Sequence, residues 1–182
     1  MEVLFSLSML LIYSAFYGIT MKIADLLNEH GLKWFKFSNI FFGFLWGIFG
    51  VLVVFYGNMV ISSAMLAMNI AFLVRNRLDY LNHQIASSII IIGGISFGKI
   101  LIPEFLIFYL IFLVFGFLKD YVDDVLHWTG LFSKINELML YYPIPTFFYS
   151  LFYGNWSLFF VFTTYTIFYD LTKYFARKKG YI

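Results

Sequence analysis

The chain has 182 residues, of which 62% are hydrophobic, 24% aromatic and only 12% charged. Ordinary water-soluble domains carry roughly 25% charged residues, so the composition argues against one and for a chain that lives in lipid. A formal net charge of +2 gives no ground for a nucleic-acid partner, and the absence of cysteine removes disulfides, thiol catalysis and thiolate metal sites.

A helix needs about 20 apolar residues to cross a hydrocarbon core, because every backbone amide must find its partner inside the segment. Residues 3–21 form the first uncharged run; it opens on Glu2 with no basic residue and ends without a small-residue cleavage pattern, so it is expected as a span and not as a leader. The next run lies between Lys36 and Arg75 and is long enough for two helices. "FYGN" marks its middle at Phe55 to Asn58 and recurs at Phe152 to Asn155, midway through the last long run. Gly and Asn tolerate left-handed backbone and Tyr suits the water boundary, so both are expected as hairpin tips. A third tip is expected at 99–104, where Lys99, Pro103 and Glu104 interrupt an apolar stretch; one broken helix over 84–118 is the alternative. The expected fold class is therefore all-α: a polytopic integral membrane bundle forming a single transmembrane domain over 1–182. Its seven spans are placed at about 3–22, 38–56, 59–76, 83–101, 104–119, 138–153 and 156–174. Eleven of the twelve basic residues then fall on one side, leaving Lys99 opposite. The positive-inside rule places the amino terminus outside and the carboxyl terminus in the cytoplasm of a multi-pass cell-membrane protein. "ARKKG" at the end is expected to anchor on anionic lipid.

Small residues within the spans are expected to be packing surfaces. Gly43, Gly47 and Gly50 share one helix face, and Ser62, Ser63, Ala64, Ala67 and Ala71 form another such series. Gly93-Gly94 is expected at a close helix contact or a local unwinding. "YYPIP" at 141–145 is expected to start or bend the sixth span.

A short pattern repeats where the first, third and fifth spans reach the cytoplasmic side: "KIADLLNEH" at 22–30, "RNRLDYLNH" at 75–83 and "KDYVDD" at 119–124, within hairpin repeats ending at 22–30, 75–83 and 119–127. Positions i, i+3 and i+4 share a helix face, so each aspartate stands with the polar residues that follow it. Convergence of the three ends would build a cup from Asp25, Asn28, Glu29, Asp79, Asn82, His83, Asp120, Asp123 and Asp124. Crowded carboxylates repel unless a cation neutralises them, and oxygen ligands outnumber nitrogens here, which favours Mg²⁺ or Mn²⁺ over zinc. The expected metal ligands are Asp120, Asp123, Asp124, Asp25 and Glu29. Arg75, Arg77 and Lys119 would hold phosphate oxygens, and Asp79, His83 and His127 would supply acid–base chemistry. The plainer account is that helix ends at a membrane surface are polar in any case, with acids pairing to nearby bases.

The Lys-Asp-x-x-Asp unit at Lys119 to Asp123, with a partial echo at Asn76 to His83, resembles the acid-rich cytoplasmic helix ends of the UbiA-type prenyltransferases, which bind a prenyl diphosphate through Mg²⁺. The chain is short and its motifs closely spaced for that family, and no residue role is taken from it. The CDP-alcohol phosphotransferases match better in size, but their signature needs Asp-Gly and Ala-Arg between the aspartates, which "RNRLDYLNH" lacks. The functional expectation is a membrane-embedded enzyme of lipid or isoprenoid metabolism, a metal-dependent phospholipid or prenyl-phosphate transferase or hydrolase. Its partners would be membrane lipids, among them a phosphorylated lipid substrate. A small-solute or cation transporter built from helical hairpins and a membrane scaffold subunit stand as alternatives, and a homo-oligomer is left open.

Overall fold

The computed structural model describes residues 2–127 and 130–181, excluding the side chains of residues 2–6, 123 and 124. Among these residues it is all-helical: α1 (Glu2–Glu29), α2 (Ser38–Tyr56), α3 (Met59–Val74), α4 (Leu81–Phe97), α5 (Ile102–Tyr121) continued by a π-helical turn (Val122–Leu126), α6 (Leu131–Leu140), α7 (Pro143–Tyr153) and α8 (Trp156–Lys178). Three stretches, Leu7–Glu29, Ser38–Tyr56 and Ile102–Tyr121, are long and apolar enough to cross a membrane; α3 and α4 are apolar but shorter.

Packing neighbours run in a closed circuit: α8, α1, α2, α4, α3, α5, α6, α7 and back to α8. Inside it lies one apolar cluster containing Tyr17, Met65, Met68, Phe108, Phe112, Tyr142 and Phe162. Outside, α5 exposes Ile102, Leu106, Leu110, Val114 and Phe117. Their spacing of four, four, four and three makes one stripe along the helix, a contiguous apolar face that soluble monomers rarely leave uncovered.

The glycine faces explain the closest helix pairs. A Cβ at Gly43 would fall 2.7 Å from the Asn82 Cα, and one at Gly50 would fall 2.6 Å from Ile90 Cδ1, so α2 and α4 approach almost backbone to backbone. Gly93 and Gly94 sit inside an unbroken α4 against Val51 and Leu66. Close contact, and not unwinding, is their role. In lipid, where burial of apolar surface gives little drive between helices, such approach is what dispersion requires.

Both "FYGN" segments are turns. Asn58 caps α3 by accepting from the Ile61 N–H at 3.0 Å, and Gly154 takes the left-handed conformation at φ 72. The two tips also meet: Asn58 Nδ2 donates to Asn155 Oδ1 at 3.0 Å and to Ser157 Oγ at 3.2 Å. The third turn falls at 98–101, with Pro103 in the first turn of α5. Residues 84–118 therefore hold two helices. They do not form a packed hairpin, since α4 lies on α2 and α3 while α5 lies on α3 and α6.

The expected sixth helix over 138–153 is broken in two. Proline cannot donate a backbone hydrogen bond and disfavours helical angles in the residue before it; Tyr142, preceding Pro143, sits at φ 72. That left-handed conformation costs a side-chain-bearing residue about 1–3 kcal/mol. It is offset by burial of the ring among Phe108, Phe112 and Phe162 and by the Tyr142 hydroxyl donating to the Phe108 carbonyl at 2.8 Å. At about 1.5 Å per residue, neither α6 (10 residues) nor α7 (11 residues) reaches across a hydrocarbon core alone.

Candidate functional site

At the end of the bundle opposite the "FYGN" tips, a polar cavity of about 340 Å³ opens between the ends of α1, α3, α4 and α5 and the sides of α6 and α8. Two ionic networks face each other across it.

The first joins α3 to α5. Arg75 caps the carboxyl end of α3, and its side chain, only 4% exposed, turns inward to donate to both Asp120 oxygens at 2.8 and 2.9 Å and to the Gly116 carbonyl at 2.9 Å. Arg77 also donates to Asp120. Gly116 makes this arrangement feasible. A Cβ there would fall 2.5 Å from Arg75 Nε, with Cζ and Nη1 closer still. The guanidinium also lies over the Phe112 ring, 5.4 Å from its centroid, a favourable placement for a cation. Arg75 Nε keeps no hydrogen-bond partner among the described residues.

The second network joins α1, α4 and α8. His83 stands between two carboxylates, with Nε2 3.2 Å from Asp25 Oδ1 and Nδ1 3.3 Å from Asp79 Oδ1. The Tyr169 hydroxyl donates to Asp25 Oδ2 at 2.8 Å, and Lys22 Nζ lies 3.8 Å from the same oxygen. Asp25 is 8% exposed and Asp79 54% exposed, so the imidazole bridges a buried carboxylate and an open one. An imidazole held this way can pass a proton between the two or offer one at the cavity wall.

The cavity thus gathers Asp25, Glu29, Arg75, Arg77, Asp79, His83, Lys119 and Asp120 from the three helix ends named by the repeated pattern. Asn28 and Asn82 go elsewhere. Asn28 accepts from Asn39 Nδ2 at 3.3 Å, and Asn82 donates to the Ala24 carbonyl at 2.9 Å, tying α4 to α1. His127 is exposed and does not line the cavity. The three- and four-residue periodicity ends here: the helix widens at Val122, and the His127 N–H reaches back five residues to the Val122 carbonyl. The Asp123 and Asp124 side chains lie outside the described residues.

Sequence reasoning missed the wall that α6 and α8 supply. Tyr141, Tyr169, Glu137, Lys173 and, from α2, Trp46 line the same cavity. The available signal was the series Tyr165, Tyr169, Lys173, Arg177, four residues apart and hence on one face of α8. Among the described residues no three histidine or acidic side chains are disposed to hold a metal ion, and Asp120 accepts from two arginines. No family model, curated protein or solved structure matches the chain.

Proposed function

We propose that the chain is a multi-pass membrane protein, amino terminus outside and carboxyl terminus cytoplasmic, whose polar cavity receives the headgroup of a phosphate-bearing lipid for transfer or hydrolysis at phosphorus. The observation that carries this reading is the Arg75–Asp120–Arg77 cluster: a guanidinium buried in a glycine-lined seat, beside a second arginine, with Lys119 on the same wall. A buried ion pair is weak support for stability, since desolvation cancels much of its attraction, and ionisable groups within a membrane bundle are expensive enough to suggest a task. Paired arginines match the forked geometry of phosphate oxygens.

In this reading Asp120 occupies the anion seat until a phosphate takes its place on the two arginines. The carboxylate so released, together with Asp79, would hold the Mg²⁺ or Mn²⁺ that accompanies a phosphate. Such an ion supplies charge neutralisation at phosphorus. His83, backed by Asp25, is the acid or base. The seven-span arrangement is retained with its sixth crossing made by α6 and α7 around the Tyr142 break.

The test is thermal stability of detergent-purified protein in inorganic pyrophosphate with and without Mg²⁺. A ligand of the folded state raises stability with the logarithm of its concentration over its dissociation constant. A saturable rise in wild type, weakened about tenfold or more in Arg77→Gln, is expected, because a charge-assisted hydrogen bond contributes about 1.5–3 kcal/mol. No rise in wild type would sink the reading. Transport of a cation or polar solute is the second reading, favoured by the burial of Lys22, Asp25 and His83 within the bundle. Cation flux in proteoliposomes, abolished by Asp25→Asn, would put it first.

A further inference from the structure

The polar cavity shares a wall with a larger one. A cavity of about 440 Å³ lies in the cleft between α6 and α8, and Glu137, Tyr141, Tyr169 and Lys173 line both. The cleft follows from the break at Tyr141-Tyr142: α6 leans on α5 while α7 closes against α8, leaving the α6–α8 gap open beneath. Its volume lies in the ordinary range for small-molecule sites.

The lining is mixed. Leu138, Tyr141, Tyr165 and Tyr174 make an apolar and aromatic part beside Thr166, and Lys134, Lys173 and Arg177 stand against Glu137 and Asp170 in the rest. Leu138 and Tyr174 are exposed, so the cleft is open at its outer edge. Tyr165 is 2% exposed, and its hydroxyl has no hydrogen-bond partner among the described residues. A buried hydroxyl left unsatisfied costs about 1–3 kcal/mol; an oxygen close to a lipid headgroup would relieve it.

Resting on the headgroup reading of the polar cavity, we infer that the α6–α8 cleft is the slot that receives the proximal part of the same lipid's hydrocarbon tail, with entry sideways past Leu138. Two observations select that occupant. The cleft is continuous with the polar cavity through Tyr141 and Tyr169, so a molecule with a charged head and an apolar tail matches the pair of cavities in order. Lys173 lines both cavities and Arg177, one helical turn along α8, lines the cleft, so bases stand where the two cavities join and beside it, suited to the phosphate of such a lipid.

The test compares two probes with one headgroup, inorganic pyrophosphate and dioleoylglycerol pyrophosphate, each with Mg²⁺, in wild type, Thr166→Trp and Leu138→Trp. Thermal stability of the full-length detergent-purified protein is the readout. Wild type should bind the lipid more tightly than the free anion. Either tryptophan should weaken the lipid about tenfold or more while leaving the pyrophosphate response intact, which also shows that the variant is folded. Unchanged lipid binding in both variants overturns the slot. So does a wild type that gains nothing from the tail, and so does loss of the pyrophosphate response in both variants, because the slot would then not be separable from the headgroup site. A wild type that binds neither probe overturns the headgroup reading itself and the slot with it.

Discussion

Arg75 reaches the cavity because residue 116 has no side chain. In Gly116→Ala the new methyl would meet the guanidinium and not backbone. The arginine's flexible end can move, so stability should fall by only about 1–3 kcal/mol. The anion seat, by contrast, should be lost: the pyrophosphate response of Gly116→Ala is expected to weaken about tenfold or more. An unchanged response would show that Arg75 is not seated for an anion. Gly43→Ala makes the contrast, since its Cβ meets the Asn82 Cα and backbone oxygen, 2.7 and 2.8 Å away. Neither α2 nor α4 can yield locally, and the expected result is a melting point below that of Gly116→Ala. A Gly43→Ala melting point at or above that of Gly116→Ala would contradict the close α2–α4 approach.

At the scale of elements, the break between α6 and α7 is the feature on which the cleft depends. Tyr142→Phe keeps the ring among Phe108, Phe112 and Phe162 but removes the hydrogen bond to the Phe108 carbonyl. About 0.5–1.5 kcal/mol of stability should go with it, the net worth of one hydrogen bond, since the carbonyl keeps its partner within α5; an unaltered melting curve would show that packing alone holds the bend. Much of the helix plan was legible beforehand. Uncharged runs, the "FYGN" tips and Pro103 locate the ends of α2, α3, α5, α7 and α8 closely, because turn chemistry is local. The split of 138–153 was harder to read, since hydropathy records what a segment dislikes and not whether its backbone continues. Of the site, the three acidic helix ends were visible as a repeat, and the cavity gathers side chains from each. His127 was read with an α-helical period that ends at Val122. The aromatic wall from α6 and α8 went unseen because its tyrosines look like interfacial residues until the circuit of helices brings them beside Asp25.

For the whole molecule, the circuit places the polar cavity at one end and the paired tips at the other, so in the proposed membrane arrangement the orientation of the chain decides which side the cavity faces. The cysteine-free sequence makes this directly measurable. Tyr153→Cys at the second tip should react with a membrane-impermeant maleimide on intact cells, and Lys179→Cys only after permeabilisation; the reverse pattern would place the cavity outside and end the cytoplasmic reading. An anion seat built on Arg75 and Arg77 must hold a free anion. Equilibrium binding of radiolabelled pyrophosphate to the purified protein with Mg²⁺ tests it most directly, with Lys99→Gln as control, since Lys99 is exposed in the α4–α5 turn away from the cavity. Saturable binding is expected in wild type and Lys99→Gln, and binding about tenfold weaker or absent in Arg77→Gln. Absence of saturable binding in wild type, or an equal loss in both variants, would contradict it.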